Sequence, residues 1–271
     1  MSLSNGRTMN LYLCPSTILR AKGILLHRAV LNLVDMILLR SLLFNFGMLI
    51  ITPPFALLAI VLMPLPAVTR SRIVSGWAHL TMHWLALTCN LRFRVIGREN
   101  IPGHPSVVLA KHQSAWETIA FQTIFPPQIW VMKRSLLWIP FLGWAFAALS
   151  AITIDRAAGR EALKQLVTQG KDRLARGLWV VVFPEGTRIA PNKRGKYHIG
   201  GAWLATHAQA TVVPVAHNAG KFWGKSSFIK KPGTITVSVG KPIETAGLKP
   251  DALNQMVENW IENEMGQLHG K

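Results

Sequence analysis

Ser106-Val-Val-Leu-Ala110, followed at once by Lys111-His-Gln-Ser114-Ala-Trp-Glu117-Thr118, is the stretch on which the fold of this chain turns. An apolar run without alternation reads as a strand covered on both faces. Ser114-x-x-Glu117 is a capping-box signal for a helix beginning just after Ser114. His112 then lies in the turn between strand and helix. Five positions along one continuous helix would set two side chains about 140° apart. His112 and Glu117 therefore meet only if His112 precedes the helix and Glu117 sits in its first turn. An imidazole bonded to a carboxylate has a fixed tautomer and a stabilised cation, which suits a general base that takes a proton from a hydroxyl. In the plainer alternative Glu117 only caps the helix and His112 only fills the turn.

Outward from this stretch, short β-rich runs alternate with helical ones. Strands are expected at Phe93–Ile96, Val107–Ala110, Ile129–Met132, Ile152–Ile154, Leu178–Phe183, Thr211–Ala216 and Thr234–Val239. Helices are expected at Ala115–Ile124, within Leu136–Leu149, and at Arg160–Arg176, Gly201–Gln209 and Asp251–Gly266. The alternation predicts an α/β domain over residues 92–271, with a mixed, partly parallel sheet flanked by helices. No repeat or low-complexity linker divides it.

The amino-terminal third is different. Ser41 to Thr69 contains no Asp, Glu, Lys, Arg or His. As a helix, residues 41–63 span roughly 35 Å, enough to cross a bilayer. Pro53-Pro54 interrupts this run, so a kinked or re-entrant helix is as compatible as a straight one. A second stretch without Asp, Glu, Lys or Arg follows from Ile73 to Leu91. There Ile73, Trp77, Leu80, Trp84, Leu87 and Leu91 fall on one helical stripe, with Ser75, Cys89 and Asn90 opposite. Basic residues flank both runs, so residues 36–91 are expected to form a membrane-associated two-helix hairpin that enters and leaves on the cytoplasmic side. Residues 1–35 remain a poorly defined extension without the features of a cleavable signal peptide.

Of the 271 residues, 30 are Lys or Arg and 12 Asp or Glu, a formal charge of +18, while half are hydrophobic. Such a composition excludes general disorder and leaves nucleic acid or an anionic membrane as the partner of the positive charge. The tryptophans and apolar runs cluster in the membrane-like segments instead of alternating with Lys and Arg along a groove, which argues against nucleic acid. Cys14 and Cys89 form no metal-ligand ladder, and His79 and His83 at i, i+4 have no third ligand spaced nearby, so no metal site is expected. His198, His207 and His217 are read as structural.

Open α/β sheets gather ligands at the carboxyl ends of their strands. Three further strand ends carry charge: Lys133-Arg134, Asp155-Arg156, and Phe183-Pro-Glu185-Gly186-Thr187-Arg188. Their cations can converge on a phosphate beside His112, with the Arg188 fork matching phosphate oxygens and Gly186 permitting close backbone approach. Neither G-x-S-x-G nor G-x-G-x-x-G occurs.

His112-Gln-Ser-Ala-Trp-Glu117, Ile154-Asp155-Arg156, Phe183-Pro-Glu-Gly-Thr-Arg188 and Val212-Val-Pro214-Val, in this order and spacing, resemble the four blocks of the glycerolipid acyltransferases. Within that superfamily the bacterial lysophosphatidic acid acyltransferases are most similar, over roughly Met36 to the end. Lys133-Arg-Ser-Leu-Leu-Trp-Ile-Pro140-Phe-Leu-Gly143-Trp144 also resembles the segment between their first two blocks. The resemblance implies His112 as catalytic base in an HX4D/E motif, with Glu117 its partner where the family usually has Asp. It implies Lys133, Arg156 and Arg188 as binders of the acceptor phosphate, and Glu185, Gly186 and Thr187 beside the acceptor. A membrane-seating two-helix motif is implied as well. The reaction expected is transfer of a fatty acyl group from acyl carrier protein or coenzyme A to the sn-2 hydroxyl of 1-acyl-sn-glycerol 3-phosphate at the cytoplasmic face of the inner membrane. It needs no metal or redox cofactor. Leu136–Leu149 is a candidate wall of the acyl channel. The alternative acceptor is another lysolipid, such as lyso-ornithine lipid or a lipid A precursor.

Overall fold

The structure, a computed structural model, describes residues 15–155 and 158–269. Three helices come first: α1 (Pro15–Val61), α2 (Ala67–Val74) and α3 (Gly76–Cys89). Strands and helices then alternate as β1 (Leu91–Ile96), β2 (Val107–Ala110), α4 (Trp116–Ile124), β3 (Gln128–Lys133), α5 (Leu142–Ala148), β4 (Ile152–Ile154), α6 (Arg160–Ala175), β5 (Trp179–Val182), α7 (Gly200–Ala208), β6 (Val212–His217), β7 (Gly233–Val239) and α8 (Pro250–His269). Every expected strand forms, its ends shifted by no more than two residues.

The strands make one sheet in the order β1-β7-β6-β2-β5-β3-β4. Pairing is parallel except between β6 and β7. β2 lies at its centre, and all four of its residues are buried. Alternation along the strand explains why: Val108 and Ala110 join the core that includes Phe44, Leu85, Trp116 and Phe121, while Val107 and Leu109 join the core of Leu166, Leu204, Leu253 and Ile261 on the opposite face. Pro214 is tolerated in an interior strand because the β6–β7 ladder begins only at Val215.

The helical third departs from the expected hairpin. α1 runs through Pro53 and Pro54 as one helix. Two missing N–H groups weaken it locally, and packing on its inner side compensates: Phe44, Ala56 and Ala59 are buried, and Thr52 accepts a hydrogen bond from Trp77 Nε1 at 3.2 Å. Only this helix, over Leu33–Val61, is long and apolar enough among the described residues to cross a membrane. The sequence boundary at residue 36 falls inside it.

α3 is not its twin. Its buried face consists of Ala78, Thr81, Met82, Leu85, Thr88 and Cys89, packed into the sheet's core. From the apolar stripe picked out in the sequence, Ile73, Leu80 and Leu87 point outward, and only Leu91, the first residue of β1, is buried. Close approach to α1 occurs on another side of α3, at Trp84. Gly47 of α1 shows this: a Cβ there would come within 2.0 Å of the Trp84 indole.

A polar latch ties α1 to the domain. Lys230 is buried, and its Nζ donates to Asn45 Oδ1 at 3.0 Å and to the Phe228 carbonyl at 2.8 Å. Its backbone N–H donates to Ser41 Oγ at 2.9 Å. The rings of Trp223, Phe44 and Phe228 surround the ammonium at 4.7–5.2 Å.

Candidate active site

The turn after β2 brings His112 and Glu117 together, with Nδ1 2.9 Å from Oε1. The same oxygen accepts the N–H groups of Gln113 and Ser114 at 2.8 and 2.7 Å. Ser114 Oγ in turn accepts the Trp116 N–H at 3.1 Å. Ala115 already has helical angles (φ −80°, ψ −18°), so Ser114 acts as the cap. Glu117 supplies the return half of a capping box to the Ser114 N–H, while the Ser114 hydroxyl bonds the second helical N–H, that of Trp116, instead of the third. Glu117 thus caps the helix and holds the imidazole with one oxygen.

Glu117 is fully buried. Burial pushes its carboxyl up, but the hydrogen bond and charge of His112 and the hydrogen bond from the Ser114 N–H hold the group below its ordinary value. An ionised Glu117 places the proton on His112 Nδ1 and leaves Nε2 as the acceptor. His217, also fully buried, is pushed down mainly by desolvation. Its Nε2 bonds the Lys111 carbonyl at 2.8 Å and its Nδ1 accepts the Ala219 N–H at 3.3 Å, as a neutral imidazole does. It is a structural brace behind the dyad.

The Phe183–Arg188 turn grips His112 on three sides. Phe183 stacks on the imidazole with centroids 4.1 Å apart. Glu185 Oε2 accepts the His112 N–H at 2.7 Å, and the Ile189 N–H donates to the His112 carbonyl at 2.8 Å. Gly186 makes the turn possible at φ +67°. Glu185 therefore faces inward and is absent from the wall of the cavity described below. Its carboxylate is paired with Lys111 Nζ at 2.7 Å, and Lys111 also binds Glu262 of α8 at 2.8 Å. Tyr197 donates to the same Glu262 oxygen at 2.8 Å. Burial raises Glu185, with Lys111 opposing, and burial beside these carboxylates keeps Tyr197 protonated.

Sequence reasoning assigned no role to Lys111, Phe183, Tyr197 or Glu262. A charged residue wedged between an apolar strand and a histidine was a signal for Lys111. Glu262 offered none, because its partner lies 151 positions away.

His112 opens onto a cavity of about 610 Å³, within the range of small-molecule sites. Its wall carries Lys133, Gly186 and Arg188 together with His112. The rest of the wall is mostly apolar and includes Phe44, Met48, Phe55 and Trp77 from the helical third and Leu136, Phe146 and Leu149 from the segment after β3. The expected wall segment thus contributes directly. Arg188 Nε is buried without a hydrogen-bond acceptor among the described residues. Thr187 is exposed and off this wall. Arg156 lies outside the described residues. Among those described, no three His, Cys, Asp or Glu side chains gather in a metal-binding group.

Residues 92–218 match the Acyltransferase family model. The chain is 44% identical over 208 residues to a 1-acyl-sn-glycerol-3-phosphate acyltransferase of Pseudomonas aeruginosa, covering 75% of this chain and 81% of that one. This protein is a member of the acyltransferase family. It is also 32% identical over 188 residues to the enzyme of that name from Saccharomyces cerevisiae, covering 65% of this chain and 59% of that one. A crystal structure of the 1-acyl-sn-glycerophosphate (LPA) acyltransferase PlsC from Thermotoga maritima superposes with a TM-score of 0.72 at 21% identity, covering 86% of this chain and 96% of that one. At that identity the likeness concerns the fold. The acyltransferase has its dyad on the block that first marked the family.

Proposed function

We propose that this acyltransferase moves a fatty acyl group from a thioester of acyl carrier protein or coenzyme A to the sn-2 hydroxyl of 1-acyl-sn-glycerol 3-phosphate, forming phosphatidate for phospholipid synthesis. It works at the cytoplasmic face of the inner membrane, held by α1. The carrying observation is the imidazole–carboxylate dyad on a cavity whose wall joins the cations Lys133 and Arg188 to a largely apolar surface. The cations suit a phosphate and the apolar surface an acyl chain. The names of the Pseudomonas and yeast relatives support the same acceptor.

In this reading His112 Nε2 takes the hydroxyl proton as the oxygen attacks the thioester carbonyl, while Glu117 steadies the imidazolium. The tetrahedral intermediate collapses, the C–S bond breaks, and the proton on His112 passes to the departing sulfur to give the free thiol. Lys133 and Arg188 hold the acceptor phosphate, joined by Arg156 through its place in the family motif. The buried Arg188 Nε then gains an acceptor in the phosphate. Purified enzyme given a defined acyl thioester should convert lysophosphatidate in preference to lyso-ornithine lipid or a lipid A precursor. Turnover of either alternative with none of lysophosphatidate would overturn the acceptor assignment.

A further inference from the structure

The loop after β3, with the first turn of α5, places its bulk outside. Residues 134–144 include Trp138, 86% exposed and the most exposed large hydrophobic among the described residues, with Leu136, Ile139, Phe141 and Trp144 each more than a third exposed. A single exposed tryptophan is ordinary, but five large apolar residues in the short segment from β3 into the first turn of α5 make a patch. Phe141 holds φ +60°, and its ring lies 5.1 Å from that of Trp144, so the two form one outward wedge. The loop begins at Lys133 and Arg134, both exposed.

Its neighbour decides what covers it. α5 packs against the carboxyl end of α1 through a small core of Ala59, Val74 and Ala148, to which Ala145 and Leu149 add. At that same end α1 exposes Leu57, Ile60 and Val61. Through α5 the wedge adjoins α1, which among the described residues is the helix long and apolar enough to cross a bilayer. Tryptophan, phenylalanine and flanking cations are the side chains that settle at the headgroup boundary of an anionic membrane.

We propose that residues 134–144 are a second membrane contact, laying Trp138, Phe141 and Trp144 into the boundary between headgroups and acyl chains of an anionic bilayer. This rests on the membrane reading of α1 but not on the acceptor or the reaction. Leu136 lines the cavity while Trp138, two residues on, faces outward. The loop thereby joins the lipid surface to the cavity wall.

The test uses the full chain with Cys14 replaced by serine, reconstituted in phosphatidylglycerol–phosphatidylcholine vesicles. Cys89 is fully buried and stays unlabelled. An environment-sensitive fluorophore is placed at Trp138→Cys, at Leu49→Cys on the exposed side of α1, and at Gln255→Cys on α8 across the sheet. Trp144→Cys gives a second reading of the loop if Trp138→Cys does not fold. Nitroxide-labelled lipid should quench positions 138 and 49 by about twofold or more and leave 255 nearly unchanged, the pattern of a loop lying within several ångström of the boundary. Quenching at 49 with position 138 behaving like 255 overturns the loop contact and leaves α1 standing. No quenching at either overturns both. A spectral shift at 138 that needs added acyl carrier protein and not vesicles would assign the patch to a protein partner instead, and overturns it as well.

Discussion

The turn at residues 110–117 and the helices at 15–89 show how differently two regions of one chain answer to their sequence. In the turn, each expected contact is local and polar: Glu117 reaches back to Ser114 and across to His112, and spacing alone limits the possibilities. In the helices, the apolar stripe of α3 was legible, but its direction was not. Apolar periodicity reports which side chains avoid water. It does not say whether they find protein or lipid. Leu80 and Leu87 face out while Ala78, Thr81 and Cys89 face the core, the arrangement expected where the outside is itself apolar.

The strongest way to break this comparison is to disturb the charges behind the turn. Lys111→Met leaves Glu185 and Glu262 without their cation and should cost on the order of 3–5 kcal/mol, read as a lower denaturation midpoint. Lys111→Met with Glu185→Gln should recover part of that loss. An unchanged midpoint in the single variant would make the network incidental.

Within α3 the contrast can be sharpened directly. Leu85→Ala, at a fully buried position, should cost about 2–5 kcal/mol. Leu80→Ser, on the exposed stripe, should stay within roughly 0.5 kcal/mol in detergent. Equal costs would mean that the stripe packs against protein after all.

Arg188→Ala should raise the acceptor KM about tenfold or more with little effect on the donor KM, as loss of a charge-assisted bond of roughly 1.5–3 kcal/mol implies. Equal changes for both substrates would place Arg188 away from the phosphate.

A pH-dependent effect concerns the latch on α1. Burial lowers Lys230 from an ordinary 10.5 to about 8, with Cys89 opposing weakly. Between those values the unfolded chain holds a proton that the folded chain has released, so stability should rise with pH from about 8 toward 10.5. Lys230→Met should lose this contribution to the slope. The same slope in both proteins would show that Lys230 does not titrate there.

Fold and dyad were readable because their signals are short-range: seven strands from β-rich runs, His112 and Glu117 from a capping box. Glu185 was readable as part of a motif, yet its partners were not. Lys111, Tyr197 and Glu262 meet through folding of distant segments, so the carboxylate turns to the back of His112 instead of toward the cavity. The unbroken α1 was equally hidden, since two prolines read locally as a break and only packing by Phe44, Ala56 and Ala59 shows what sustains the helix.

The central claim is that Glu117 serves the imidazole electrostatically and does more than cap α4. Glu117→Gln separates the two roles, because glutamine still completes the capping box with Ser114 but brings no negative charge to His112. Turnover of lysophosphatidate by this variant, measured alongside its melting transition, should fall by a factor approaching that of His112→Ala, on the order of 10²-fold or more, with the fold retained. Glu117→Asp should keep far more activity than Glu117→Gln. Near wild-type turnover in a folded Glu117→Gln enzyme would contradict the account.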